Sequence, residues 1–145
     1  MAHPRQQIRE QMLATLTGLT TTGANVYDTK LNAYGDFPCI TIITGTDTVD
    51  EDKSSNPKHW HDLAIRLEVR ARVASTVANE IDTICAEIEA AIYADRTLNA
   101  KLVDVIISQT QIEYSVEAEV PIGLATLSLS AAYRVIQTDP MTISN

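Results

Sequence analysis

The segment that most constrains the fold is HDLAIRLEVRARV, which runs from His61 to Val73. From Leu63 onward every second residue is apolar, and the residues between them include Arg66, Arg70 and Arg72. Strict alternation over this length is typical of a β-strand with one buried face and one exposed face. The chain therefore contains a sheet whose outer side carries arginines, and its function depends on what meets that side.

The composition fits a single folded domain over residues 1–145. Hydrophobic residues make up 45% of the chain, no apolar run has membrane-spanning length, and the N-terminus lacks the apolar core of a signal peptide. Cys39 and Cys85 lie in apolar segments outside any recognisable motif, which indicates buried free thiols in a reducing compartment. We predict a protein that is made in a cytoplasm and has no membrane partner.

The net charge argues against one class of function. It is −8, from 19 acidic and 11 basic residues. An acidic surface repels phosphate backbones, so tight nucleic-acid binding is not expected. A position beside DNA remains compatible with this charge, because electrostatic repulsion keeps the protein from binding the DNA.

Two amphipathic helices are predicted. The first runs from Pro4 to about Thr17 and ends at Gly18, which suits a left-handed C-terminal position. The second follows a cap at Ser75 or Thr76 and extends to about residue 94, with acidic residues and no lysine on its outer side. Its apolar stripe consists of Val77, Ile81, Ile84, Ile88 and Ile92.

Five strands are predicted around these helices, in the order α-β-β-β-α-β-β. The segments are ANVYDTK, DFPCITIIT, the alternating segment, LVDVIISQTQIEY and IGLATLSLSAAYRVIQ. Residues 45–58 are polar and show no periodicity, so we predict a mobile loop there, and residues 138–145 are predicted to be a flexible tail. The fold class is α+β, a two-layer sandwich with a mostly antiparallel or mixed sheet and both helices packed on one face.

The uncovered face of that sheet is the candidate contact surface. It is predicted to show Arg66, Arg70, Arg72, Ile106, Ile112, Ser128, Ser130, Ala132 and Arg134, a mixture that is unusual for a solvated face. Trp60 is either a core anchor or an interface anchor. The acidic run that begins at Asp50 is either a solvated loop tip or a segment that orders against a partner. The candidate interface residues are therefore Asp50, Glu51, Asp52, Trp60, Arg66, Arg70, Arg72 and Arg134.

Evidence for catalysis is weak. The segment GLTTTGAN has the glycine spacing of a phosphate-binding loop but lacks its lysine, so a helix-ending turn is favoured. In HWHD, His59 and His61 fall on one side of a strand, which is usable metal-ligand spacing, with His3 or a carboxylate as a third ligand. No third ligand stands at a recognisable spacing. We predict no catalytic residues, no metal and no cofactor, and keep a metal-dependent enzyme or ligand-binding domain as an alternative.

Four segments, in order, carry a family resemblance. They are FPCITIIT, DLAIRLEVRARV, ANEIDTICAEIEAAIYAD and LATLSLSAAYRV, which together extend from about Asp36 to Val135. In arrangement and length the chain resembles the tail terminator proteins of long-tailed bacteriophages, the group that includes the lambda minor tail protein U. None of these segments is a catalytic signature.

The resemblance implies a structural role in the virion, at the neck end of the tail, after assembly in the cytoplasm of a bacterial host. Members of this family form a hexameric ring that caps the head-proximal end of the tail tube and stops its polymerisation. The implied partners are further copies of the chain, the tail tube protein and the head–neck connector, with DNA passing through the lumen without specific binding. The alternatives are a head-closure or neck component, or a subunit-interaction module of a cellular complex.

Overall fold

The computed structural model describes residues 2–29, 37–55, 58–72, 76–117 and 120–145, and gives the backbone alone for residues 51–55, 116, 117 and 120. Within these ranges lie two helices and a mixed six-stranded sheet, which confirms the predicted α+β class. The elements in chain order are α1 (Pro4–Leu16), β1 (Val26–Asp28), β2 (Cys39–Ser55), β3 (Lys58–Arg72), α2 (Val77–Ala94), β4 (Asp104–Glu117), β5 (Val120–Ile136) and β6 (Asp139–Ile143).

The sheet is built around the alternating segment, which forms β3. The strand order is β1-β2-β3-β5-β4, with β6 paired to β5 beyond the first residue of β4. Strand β1 is parallel to β2, and the other described pairings are antiparallel. Strand β3 pairs with β5 along its whole length, from Lys58 opposite Ile136 to Arg72 opposite Ile122. This long central pair fixes which side chains face the helices.

Both helices pack on the same side of the sheet. Helix α1 lies against β1, β2 and β6, and α2 lies against β3 and β5. The inward residues of the central strands are buried beneath them: Leu63, Ile65, Leu67, Val69 and Ala71 on β3, and Leu127, Leu129, Ala131, Tyr133 and Val135 on β5. The predicted apolar stripes meet these residues, with Ile8, Met12 and Leu16 from α1 and Ile81, Ile84, Ile88 and Ile92 from α2.

The glycine-containing segment after α1 is a tight turn. Gly18 has a φ of 94°, a conformation that glycine adopts without steric cost, and its N–H donates to the Gly23 carbonyl at 2.8 Å. Gly23 in turn donates to the Leu19 carbonyl at 2.8 Å. The turn bonds to itself, as expected for a helix-ending segment.

Two sequence predictions are corrected by the strands. Residues 45–55, predicted as loop, continue β2, and the ladder with β3 contains register shifts between Thr44 and Asp47 and between Asp50 and Ser55. Such irregularities break the two-residue period that identifies a strand in sequence. Residues 56 and 57 lie outside the described ranges, and Lys58 begins β3. The predicted tail contains β6, where Ile143 pairs with Val135 and packs against the core.

Candidate functional site

One side of the sheet faces away from both helices, and we call it the open face. Cross-strand pairing places Arg66 beside Ser128, Ala64 beside Ser130, and Ile106 on the other side of Ser130. Ile106 is 50% exposed, which is unusual for an isoleucine in a sheet. The exposed or half-buried members of the open face are Trp60, Asp62, Ala64, Arg66, Arg72, Ile106, Ser128, Ser130, Ala132 and Arg134.

The arginines of β3 are not equivalent. Glu68 lies between Arg66 and Arg70 and pairs with both, with Oε1 3.2 Å from Arg66 Nε and Oε2 2.9 Å from Arg70 Nη2. The Arg70 side chain is only 12% exposed, whereas that of Arg66 is 51% exposed. Arg70 is therefore engaged within its own chain, and about half of the Arg66 side chain is exposed. Arg72, at the end of β3, is exposed.

One corner of the sheet is closed on the side opposite the helices. Cys39 pairs with Arg70 and Thr41 pairs with Glu68, so both point to the same side as the arginines. Both are fully buried. The prediction that the whole helix-free side of the sheet is uncovered is wrong at this corner. The solvent-exposed part of this side begins at Ile43 and Arg66.

The other end of the open face carries an aromatic–cation pair. Trp60 lies opposite Arg134 on β5 and opposite Asp50 on β2. The Arg134 guanidinium carbon stands 4.8 Å from the centre of the Trp60 ring, a cation–π contact. The structure thus brings three of the predicted interface residues together. The side chains of Glu51 and Asp52, also predicted as interface residues, lie outside the described part of the chain.

Between these two ends the open face forms a shallow groove of about 480 Å³. Small residues line it, among them Gly45, Ala64 and Ser128, and Arg66 stands at its side. Asp62 also borders the groove, where it accepts a 2.5 Å hydrogen bond from the Ser130 hydroxyl. The groove is open along the sheet. Small-molecule sites usually enclose most of the ligand, so an open groove of this kind is better suited to a helix or strand of another protein.

The histidines point to the other side of the sheet. His61 lies opposite Tyr133, and the two rings stack with centroids 4.8 Å apart. His61 Nδ1 is 3.0 Å from Asp47 Oδ1, and Asp47 Oδ2 accepts from the Tyr133 hydroxyl at 2.5 Å and from Arg5 Nη1 at 3.1 Å. This cluster ties α1, β2, β3 and β5 together. Among the described residues, no three histidine, cysteine or acidic side chains gather as a metal site.

The electrostatics of this cluster favour an ionised Asp47. Its side chain is 8% exposed, and burial opposes ionisation, yet the hydrogen bonds from Tyr133 and His61 outweigh burial and lower the pKa of Asp47. Burial and the Asp47 carboxylate together raise the pKa of Tyr133 well above its ordinary value. Sequence reasoning missed Asp47 because it fell in the segment predicted as loop.

A β-bulge moves one predicted residue off the open face. The ladder between β4 and β5 shifts between Ile107 and Gln109, so that Ile112 pairs with the buried Ala125. Residues paired directly across a sheet share a face, so Ile112 lies on the helix side. Ile112 and Tyr114 remain exposed there, at the edge of the sheet.

On the opposite side of the sheet, helix α2 is acidic. Helix α2 contains four acidic residues and no basic one. Glu87 is engaged, accepting from the Thr21 N–H at 2.9 Å and from its hydroxyl at 2.5 Å, whereas Asp82 and Glu89 are exposed. Burial, reinforced by Glu89 and Asp82, raises the pKa of the Cys85 thiol to about 11. We call the exposed stripe Asp82, Ala86, Glu89, Ala90 and Tyr93 the outer side of α2.

Neither helix in the described part of the chain combines the length and apolarity needed to cross a bilayer. No family model matches the chain, and no curated protein matches it. Among solved structures the chain is similar to a chain of the "Virion of native gene transfer agent (GTA) particle", with 18% identity, 90% of each chain covered and a TM-score of 0.42. Values this low carry no conclusion about function, which must be inferred from the chain's own residues and geometry.

Proposed function

We propose that this chain is a structural virion protein, the tail terminator of a long-tailed bacteriophage. Copies of it form a ring, hexameric as in the family it resembles, at the neck end of the tail. The ring stops polymerisation of the tube and presents a docking surface to the head–neck connector. In this role the chain acts by binding and carries out no reaction.

The observation that supports this proposal is the open face. A layer of four strands, with β3 15 residues long, measures roughly 50 Å by 19 Å, or about 900 Å² on one side. Even without the closed corner at Cys39 and Thr41, this projected area is of the same order as the ~800 Å² of accessible surface that each partner contributes to a standard interface. Apolar Ile106 and half-exposed Arg66 on this area are suited to protein contact.

The overall charge also supports a ring that surrounds DNA. A subunit with a net charge of −8 repels phosphate, so a lumen lined by such subunits lets DNA slide without specific binding. The exposed arginines of β3, Arg66 and Arg72, are the exception to this acidic surface, and subunit contacts place them against acidic residues of a neighbour.

The geometry disfavours the metal-dependent alternative. A metal ion at His61 Nδ1 would compete with Asp47 for that nitrogen, and the described residues supply no group of three potential metal ligands around it. His61 instead has a structural role that accounts for its burial and its partners.

The direct test is a tube-length assay. Purified tail tube protein is polymerised with and without this chain, and tube lengths are measured by electron microscopy. We expect the chain to shorten the tubes in proportion to its amount and to form a ring at one tube end. If it leaves the length distribution unchanged and binds isolated DNA-filled heads instead, it is a head-closure protein. Binding to neither structure would contradict both roles.

A further inference from the structure

We propose that the open face of one copy receives the outer side of α2 of the next copy, with Arg66 facing Asp82 and Glu89. The proposal deepens the ring function proposed above and rests on it.

The two surfaces lie on opposite sides of the same molecule. Helix α2 packs on the inward residues of β3 and β5, and the open face is the reverse of those same strands. A contact between the front of one copy and the back of the next is heterologous, and such contacts close into rings when the rotation permits. A contact between two open faces would be isologous and would stop at a dimer.

The two surfaces carry opposite charges. On the open face of β3, Arg66 and Arg72 are exposed arginines, although the chain as a whole is strongly acidic. On α2, Asp82 and Glu89 are the exposed acidic residues, seven positions apart. Two helical turns separate them by about 10.5 Å on one side of the helix, so both carboxylates fall within reach of a single arginine-bearing strand.

Shape supports the same pairing. The groove of the open face is lined by Gly45, Ala64 and Ser128, which leave room for an approaching backbone. The outer side of α2 carries two exposed small residues, Ala86 between its two acidic residues and Ala90 directly after Glu89. Small side chains on both surfaces allow the helix to lie close to the sheet. Asp62, the acidic residue in the groove, is already bonded to Ser130.

The charge contribution is tested by reversal and restoration. Arg66→Glu and Asp82→Lys are each expected to weaken self-association at least about tenfold, measured by sedimentation. The double variant Arg66→Glu/Asp82→Lys is expected to recover most of the wild-type association. Lys101→Glu and Glu10→Lys make the same changes of charge elsewhere and are expected to have little effect. Circular dichroism and urea unfolding check that every variant folds.

Mixing the two single variants tests the direction of the contact. In a heterologous ring, the altered open face of the Arg66→Glu chain meets the altered helix of the Asp82→Lys chain, and the unchanged surfaces meet at the next contact. We expect the mixture to assemble better than either variant alone. A mixture that associates no better than its components would overturn the proposed pairing.

Cysteine cross-linking gives an independent measurement. Cys39 and Cys85 are buried, so introduced thiols dominate the reaction. An Ala64→Cys chain mixed with an Ala86→Cys chain is expected to form an intermolecular disulfide on mild oxidation, whereas neither variant alone does. Ala64→Cys cross-linking to itself would establish a face-to-face dimer and overturn the proposal.

The failure of this inference is distinguishable from failure of the proposed function. Rings that form in every charge variant, with no cross-link between Ala64→Cys and Ala86→Cys, would reject the pairing and leave the ring intact. A wild-type chain that neither self-associates nor caps tubes would reject both.

Discussion

At the residue scale, the Asp47 side chain joins several elements of the fold. It binds Arg5 from α1, His61 from β3 and Tyr133 from β5, and it is almost fully buried. A buried carboxylate is tolerated only where partners replace its lost hydration. Asp47 therefore links the N-terminal helix to three strands through its hydrogen bonds.

The stability that Asp47 contributes depends on pH. Its pKa in the folded state lies below its value in the unfolded chain, so the ionised form stabilises the fold above about pH 4. This contribution is lost as the pH falls through the folded-state pKa. We expect Asp47→Asn to lower the free energy of unfolding by about 2–4 kcal/mol at pH 7.

The deficit of Asp47→Asn relative to wild type should shrink at pH 3, because this pH lies below the ordinary pKa of an aspartate and protonation of the unfolded chain removes part of the stabilisation. Urea unfolding at both pH values measures the difference, and Asp139→Asn, at an exposed position, is the control. A deficit that is equal at the two pH values would contradict the role given to the ionised carboxylate.

At the element scale, the contact of α2 with β5 depends on Gly123. A Cβ built at this position would stand 2.8 Å from Ile81 Cγ1 and 2.9 Å from Val77 Cγ2, closer than carbon atoms pack. The glycine thus sets the distance between the helix and the sheet at this crossing. Gly45 on β2 is different, because a Cβ there would make ordinary contacts of 3.7 and 3.8 Å with Ala64.

These two glycines form a matched pair for mutation. Gly123→Ala is expected to reduce the free energy of unfolding by about 1–3 kcal/mol, because the helix must shift or its side chains must leave their preferred rotamers. Gly45→Ala is expected to change it by less than about 1 kcal/mol. Urea unfolding of both variants tests the comparison, and an equal cost for the two would contradict the tight crossing.

The sequence predicted the elements whose periodicity is unbroken. Helix α1, helix α2 and β3 follow from their apolar spacing, since one side of each faces a continuous core. The second half of β2 and the position of Ile112 did not follow, because bulges interrupt the two-residue period of a strand. Gly45 lies in the first bulge of β2, where a glycine followed by polar residues predicted a loop, and Ser108 in the bulge of β4 carries no glycine or proline signal. The Asp47 cluster was not predictable, because its members come from four elements that only the folded sheet brings together.

At the scale of the whole molecule, the sheet is covered unevenly. The helix side is sealed by two apolar stripes, whereas the opposite side is sealed only at the corner of Cys39 and Thr41, as far as the described residues extend. The chain therefore has an acidic helix, α2, on one side of the sheet and the open face with Arg66 on the other. The head-to-tail association proposed above brings these two surfaces of neighbouring copies together.

Association through these charges should depend on salt. Screening shortens the range of charge interactions between partly exposed groups from about 14 Å at 0.05 M to about 4 Å at 0.5 M ionic strength. We expect self-association to weaken over this range, with a smaller salt dependence for the double variant Arg66→Ala/Asp82→Ala. Sedimentation at both salt concentrations checks this, and an association that strengthens with salt in both proteins would indicate an apolar contact instead.

The most direct test of the central claim is the accessibility of the open face as copies assemble. A thiol at Ala64→Cys reports on the groove, and one at Gln137→Cys, exposed in the turn between β5 and β6, is the reference. We predict that the Ala64→Cys thiol is labelled rapidly in dilute protein and becomes protected as the concentration rises, while the reference thiol stays reactive. An Ala64→Cys labelling rate that is the same in dilute and concentrated protein would contradict the claim that another copy covers this side of the sheet.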